Sequence, residues 1–386
     1  MIGTSLAIVA ALPWIVIPIV TAIRFRNSCT LEEENAETPL PAPMVSVIIP
    51  ARNEARNIER CVHSVLSTAY PNIEVIVVDD HSDDGTGEIV RRVAASETRL
   101  RVMDNARLPP DWFGKQWACA NGARAARGGI FCFADADTAH TSDLLTRSVN
   151  AIQRRRADLF SVVSRQVLGS FWEKLIQPQV FSMLAIRYGG SESVNDSPRV
   201  RDKIANGQCL FVTRESYDEL GGHELVKDHV AEDMMLAQLY FARGKRVIVE
   251  AGLNQLSARM YTSLRELVEG WGKNVYAGGK DAMFGGRVGR IAYPLVLLAA
   301  PLMGLVPALV LLLWLTGIIP EALLIWAAIV SASLLLWWLY VYHLIEESPL
   351  YAFLSPLGAA MLFYIFSRAI LRGERVSWKG RSYISR

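Results

Sequence analysis

Three stretches of the chain are almost wholly apolar, and the rest breaks into short hydrophobic runs separated by polar residues. Residues 4–23 are apolar and are followed at once by Arg24 and Arg26. Residues 291–320 carry no charge, and between 322 and 345 His343 is the one side chain whose ordinary pKa lies near neutrality. A bilayer core of roughly 30 Å is crossed by about 20 apolar residues in helix, a length each stretch meets. The pattern predicts a multi-pass membrane protein. No basic residue precedes the first stretch and no small-x-small cleavage site follows it, so an uncleaved anchor is expected over 1–27. Arg24 and Arg26 then place the next part of the chain on the cytoplasmic side of the cell (inner) membrane. A fourth, shorter run at 350–367 contains Pro356 and reads as re-entrant or interfacial. Residues 291–371 are therefore expected to hold two full spans plus this segment, with the basic tail 372–386 returned to the cytoplasm.

Residues 28–44 are acidic, Pro-containing and aperiodic, the pattern of a linker. Residues 45–260 have the composition of a soluble domain and alternate between β-branched runs and helical spacing. Strands are expected at 45–49, 73–78, 100–103 and 130–134, and helices at 53–67, 85–95 and 116–126. This rhythm predicts an α/β fold, a doubly wound and mostly parallel sheet that binds ligands beyond its strand carboxyl ends. Two further segments, 170–188 and 261–276, carry apolar stripes edged by Trp and basic residues. They suit a membrane surface or a buried face equally by pattern. Residues 261–290 are assigned to this interfacial, acceptor-side part.

Composition narrows the function. Forty Lys and Arg against 38 Asp and Glu in 386 residues give a net charge of +2, which excludes a nucleic-acid binder held by bulk charge. Five cysteines without C-x-x-C spacing argue against a disulfide framework or a zinc site.

Polar clusters sit at three of the expected strand ends: Pro50-Ala51-Arg52-Asn53-Glu54, Asp79-Asp80-His81-Ser82-Asp83-Asp84-Gly85 and Asp135-Ala136-Asp137. Asn53 and Ser82 could cap helices, and Asp83-Asp84-Gly85 is ordinary turn chemistry. Carboxylates gathered at one sheet edge cost stability unless a cation or ligand compensates them. Asp135 and Asp137 have the hard oxygen chemistry of a Mg²⁺ or Mn²⁺ site completed by phosphate oxygens. Glu232-Asp233 precedes an apolar helix, where the charges either favour the helix N-terminus or do chemistry. Lys115, after Trp112-Phe113-Gly114, reads as a phosphate ligand at a helix start or as a solvated lysine.

The series VIIPARNE, VIVVDDHSDDGT, FADAD and Ala231-Glu232-Asp233 resembles family 2 glycosyltransferases of the GT-A fold, over about residues 45–260. The resemblance implies that Pro50, Ala51, Asn53, Glu54 and Asp80 hold the nucleoside of a nucleotide-sugar donor, with Asp79 the alternative to Asp80. It implies that Asp135 and Asp137 bind sugar diphosphate and Mg²⁺ or Mn²⁺, and that Asp233 is the general base with Glu232 orienting. The stretch around Lys115 is similar to the membrane-bound branch that includes carotenoid- and hopanoid-associated glycosyltransferases, which favours a phosphate role for Lys115, with Asn121 nearby. Val376-Ser377-Trp378-Lys379-Gly380-Arg381 resembles a tail of the same branch, against the plainer reading of an unstructured basic end.

Where processive family members carry Gln-x-x-Arg-Trp, this chain has Glu269-Gly270-Trp271-Gly272-Lys273, so a polysaccharide synthase is not expected. Trp271 and Lys273 remain candidates to line the acceptor and diphosphate sites. The expectation is an inverting transfer of one sugar, from a UDP-hexose, to a membrane lipid acceptor such as a carotenoid, hopanoid or other isoprenoid alcohol or carboxylate. The alternatives are a polyprenyl-phosphate glycosyltransferase and a non-catalytic sugar-nucleotide-binding membrane scaffold.

Overall fold

The first β-branched run forms β1 (Val45–Ala51), and Ile73–Asp79 forms β2, parallel to it with Val45 opposite Ile73 and Ala51 opposite Asp79. The remaining strands, in chain order, are β3 (Leu100–Asp104), β4 (Ile130–Ala134), β5 (Thr138–His140), β6 (Leu159–Val163), β7 (Arg165–Gln166), β8 (Cys209–Thr213), β9 (Val247–Ala251), β10 (Leu256–Ala258), β11 (Arg375–Trp378) and β12 (Arg381–Ile384). The computed structural model describes residues 2–26, 28–281, 286–373, 375–379 and 381–384. They divide into two units. One comprises residues 28–167, 191–260 and 374–386, and the other residues 1–27, 168–190 and 261–373.

The first unit is built on a seven-stranded sheet of order β3-β2-β1-β4-β8-β6-β9. Only β8 runs against its neighbours, so the sheet is mostly parallel as expected. Period-two alternation sends Val45, Val47 and Ile49 of β1 into one core, with helices Ile58–Leu66, Thr86–Ala94 and Leu144–Arg155. Ile48 faces the opposite core, with helices Gly114–Ala125, Arg214–Leu220 and Glu232–Ala242. Near-continuous apolar strands are what a sheet covered on both faces requires. Of the five cysteines, all free, four are buried.

Two expectations need correction. The helix predicted from Asn53 begins only at Ile58, because residues 53–55 are held in a loop by hydrogen bonds to the turn after β2. The 28–44 segment is not a loose linker. Leu31 is fully buried, Thr30 bridges Ala251, and Glu34 is buried against Arg154, whose Nε lies 3.0 Å from its carboxylate. Glu34 is therefore a docking charge, while Glu32, Glu33 and Glu37 stay exposed.

The second unit contains three helices long and apolar enough to cross a membrane, Thr4–Arg26, Val288–Trp314 and Glu321–Leu344. The first is pinned to the others through Trp14: its indole N–H donates to the Met303 carbonyl at 3.0 Å, and its own carbonyl accepts from Ser333 Oγ at 2.7 Å. The run at 350–367 falls into two pieces, Leu350–Phe353 and Ser355–Arg372, with Pro356 at the start of the second. Helices Phe171–Tyr188 and Leu264–Lys273 bury Leu175, Val180, Leu267, Val268 and Trp271. Phe171 and Leu184 stay exposed. The helix expected from 291 already begins at Gly286, while residues 282–285 lie outside the described ones.

One buried charge locks the base of the sheet. Glu74 of β2 accepts from Ser46 Oγ at 2.7 Å and from the Arg127 backbone N–H at 2.5 Å and its Nε at 3.0 Å. Burial opposes its ionisation, but these donors win and hold the carboxyl below its usual value of 4.5. Glu74→Ala should cost about 1–3 kcal/mol at neutral pH, read by thermal unfolding in detergent. A depressed folded-state pKa gives stability that is present above about pH 4.5 and lost in acid, so the gap between wild type and variant should narrow below that pH.

Candidate active site

The carboxyl ends of β1, β2 and β4 bring the three polar clusters together. After β1, Asn53 takes a left-handed conformation with φ 54°. Its backbone N–H donates to Ser82 Oγ at 3.0 Å, while its side-chain oxygen accepts from the Asp83 N–H at 3.0 Å. The Glu54 N–H donates to Thr86 Oγ1 at 2.8 Å, and the Asp80 N–H to the Ala51 carbonyl at 2.8 Å. The loops after β1 and β2 are thus one stitched surface.

Asp79 and Asp80 part company here. Asp79 Oδ1 accepts from the Ser82 N–H at 3.1 Å and closes the turn. Asp80, almost fully buried, accepts from Asn105 Nδ2 at 2.9 Å. Asn105 in turn accepts from Asn121 Nδ2 at 2.7 Å, so Asn121 belongs to the Asp80 side of the site.

After β4, Asp135 lies 2.8 Å from Lys115 Nζ, and the same ammonium lies 2.7 Å from Glu232. Lys115 is therefore no solvated lysine. Gly114 opens its helix, while Trp112 is buried edge-on to Trp117. Burial alone would disfavour the ammonium, but Asp135, then Glu232, hold it charged well above the ordinary lysine range.

Asp233, in the first turn of Glu232–Ala242, accepts from the Gly207 N–H at 2.7 Å and from the Met234 N–H at 2.8 Å. Burial, then the Glu232 charge, pushes its carboxyl up to about 6 against the pull of Lys115. Gly207 sits close to both groups: a Cβ there would lie 3.0 Å from Asp233 Oδ2 and 3.3 Å from Lys115 Nζ, so a side chain would press on them. Pro50, Lys115, Asp135, Gly207, Glu232 and Asp233 line one shared cleft.

Asp137 points to a cation. Its buried Oδ1 has no hydrogen-bond partner among the described residues, and burial, then Asp135 and Glu54, pushes the carboxyl up to about 8. A carboxylate this dry is stable as an anion only against a positive charge. Among the described residues no group of three or more His, Cys, Asp or Glu side chains is placed to hold a metal ion.

Trp271 and Lys273 are not brought into this unit. They end helix Leu264–Lys273 of the other one, where Trp271 packs edge-on between Phe181 and Tyr261 at 5.6 and 5.7 Å. In the opposite direction, the C-terminal segment contributes side chains that sequence reasoning did not assign. Arg381 pairs with Asp80, and Lys379 Nζ lies 2.9 Å from Glu54. The only signal was Lys379-Gly380 between two short runs, a pattern of hairpin turns.

Residues 46–221 match the sequence model described as glycosyl transferase family 2. The chain is 30% identical over 237 residues to 4,4'-diaponeurosporenoate glycosyltransferase of Staphylococcus aureus (strain USA300), an alignment covering 61% of each chain. The chain thus spans about three-fifths of that relative's length. In structure it is similar to a mannosyltransferase from Pyrobaculum calidifontis, solved with GDP-Man and Mn²⁺, at a TM-score of 0.57 and 21% identity, covering 96% of this chain and 99% of that one. That likeness shows the GT-A fold.

Lys115→Met should test the shared cation. Without it Asp135, Glu232 and Asp233 repel one another, at an expected cost of about 1–3 kcal/mol once partial exposure is discounted. The loss in unfolding temperature should be large at pH 8 and shrink towards pH 5, as protonation relieves the repulsion. Equal losses at both would show that the ammonium does not compensate them.

Proposed function

We propose that the chain, whose residues 46–221 match the glycosyl transferase family 2 model, is an inverting transferase. It moves one sugar from a nucleotide donor, a UDP-hexose, to an isoprenoid lipid alcohol or carboxylate. The observation that carries this reading is Asp233: a carboxylate gripped by two backbone N–H groups, raised towards neutrality, and lining one cleft with Lys115, Asp135 and Glu232.

In this reading Asn53, Glu54 and Asp80 hold the nucleoside beside Pro50 and Ala51. Asp135 and Asp137 would hold Mg²⁺ or Mn²⁺, which supplies positive charge for the departing diphosphate. Lys115 adds a second positive charge to the same oxygens, and Glu232 keeps its ammonium in place. Asp233 accepts the acceptor hydroxyl's proton on the sugar face opposite the diphosphate. A carboxylate acceptor, already ionised at neutral pH, needs no base, and only protonated Asp233 could donate a hydrogen bond to it.

A lipid acceptor is supported by the name of the Staphylococcus aureus relative and by the three apolar helices. Arg24 and Arg26, in the last turn of the first of them, support a cytoplasmic catalytic unit at the inner membrane.

Asp233→Asn should lower turnover of an alcohol acceptor by about 10²–10⁴-fold while leaving donor binding nearly intact. A base must be ionised, so wild-type turnover should fall on the acid side with an apparent pKa of about 6. Lys115→Met should move that limb to higher pH, since the ammonium lowers the Asp233 pKa. A variant at position 233 that keeps most of its turnover would remove the assignment.

A further inference from the structure

We propose that the C-terminal hairpin β11–β12 is a wall of the donor site, in which Arg381 positions Asp80 and Lys379 positions Asn53 and Glu54 for the nucleoside. The inference rests on the donor-site reading of Asn53, Glu54 and Asp80 given above.

The contacts converge on those residues from more than 260 positions away in sequence. Arg381 places both terminal nitrogens on the Asp80 carboxylate, Nη1 on Oδ2 and Nη2 on Oδ1 at 3.4 Å. Asp80 is almost wholly buried, and Asn105 is its other side-chain donor, at 2.9 Å. A dry carboxylate deprived of its guanidinium turns away towards other donors. That change moves the oxygens that a nucleobase would meet.

Lys379 sits at the hairpin turn with φ 46°. Its Nζ donates to the Asn53 carbonyl at 2.9 Å and lies 2.9 Å from Glu54 Oε1. Its own carbonyl accepts from Arg52 Nε at 3.0 Å, and Arg52 Nη1 reaches the His81 carbonyl at 3.0 Å. One turn residue therefore ties the loop after β1 to the loop after β2.

The seat for the hairpin is shaped on the domain side. Tyr383 Oη accepts from the Gly114 N–H at 3.3 Å, and its ring lies 4.4 Å from Phe113. A Cβ at Gly114 would come within 2.7 Å of both Arg381 Nη1 and Asp80 Oδ2, and 3.2 Å of Tyr383 Oη. Gly114 immediately precedes Lys115, so the hairpin's seat and the phosphate-side lysine share one helix start. The hairpin also brings two cations to a pocket rich in carboxylates, which eases entry of an anionic donor.

The test uses the full chain in detergent, with UDP and Mn²⁺ as the probe and donor kinetics alongside. Arg381→Ala, and a chain stopped after Gly373, should weaken UDP binding at least tenfold and raise the donor KM, with kcat changed far less. Arg381→Lys should recover only part of this, because an ammonium cannot span both carboxylate oxygens. In an Asp80→Ala background, Arg381→Ala should add little, which a merely structural role would not produce. Lys379→Met and Gly114→Ala report on the same wall should Arg381→Ala fold poorly. Equal or tighter UDP binding by the Arg381 and Lys379 variants, with Asp80→Ala impaired, would overturn the inference and leave the donor-site reading standing. Intact binding in Asp80→Ala as well would overturn both.

Discussion

Carboxylates crowded at one edge of a sheet cannot all keep their charge unless cations stand among them, and the catalytic unit is arranged around that demand. Lys115 sits between Asp135 and Glu232, and Arg381 covers Asp80. Asp137 has a buried oxygen with no partner among the described residues. Each cation does two tasks. It makes the folded arrangement tolerable, and it leaves a positive face where an anionic ligand would sit. Burial, and then the same crowding, raises Asp233 towards the pH at which a carboxylate can both take and release a proton. Stability and reactivity are here one electrostatic problem.

The chain divides its two solvents between two units. Nearly continuous β-branched strands with helices on both faces make a water-soluble unit whose polar loops collect at the strand ends. The other unit exposes residues such as Leu6, Val9, Ile291, Leu295 and Leu336, which only an apolar surrounding would tolerate in such numbers. Its internal contacts are the kind a low-dielectric environment favours, with Trp14 donating to the Met303 carbonyl of one helix and Ser333 of another donating to the Trp14 carbonyl.

The first four strands, the polar clusters at their ends and the three apolar helices were legible because each rests on local sequence pattern, whereas the later strands were not expected. The helix start after β1 was not, since Asn53 spends its polar atoms on Ser82 and Asp83, a pairing 29 and 30 residues away. Local spacing could not separate Asp79 from Asp80 either; their neighbours Ser82 and Arg381 do. Trp271 carries the look of a site residue, an aromatic beside Lys273, yet it packs between Phe181 and Tyr261. The docking of residues 28–34 and 375–384 was hidden for the same reason: acidic and basic segments look solvated until their partners, Arg154 and Asp80, are known.

The C-terminal hairpin has a consequence for the order in which the site is completed. Residues 261–373 belong to the other unit, and the hairpin belongs again to the one built on the large sheet. Glu54 and Asp80 emerge early in synthesis, yet their partners Lys379 and Arg381 follow about 300 residues later, so both carboxylates wait for their cations until almost all of the second unit has been made.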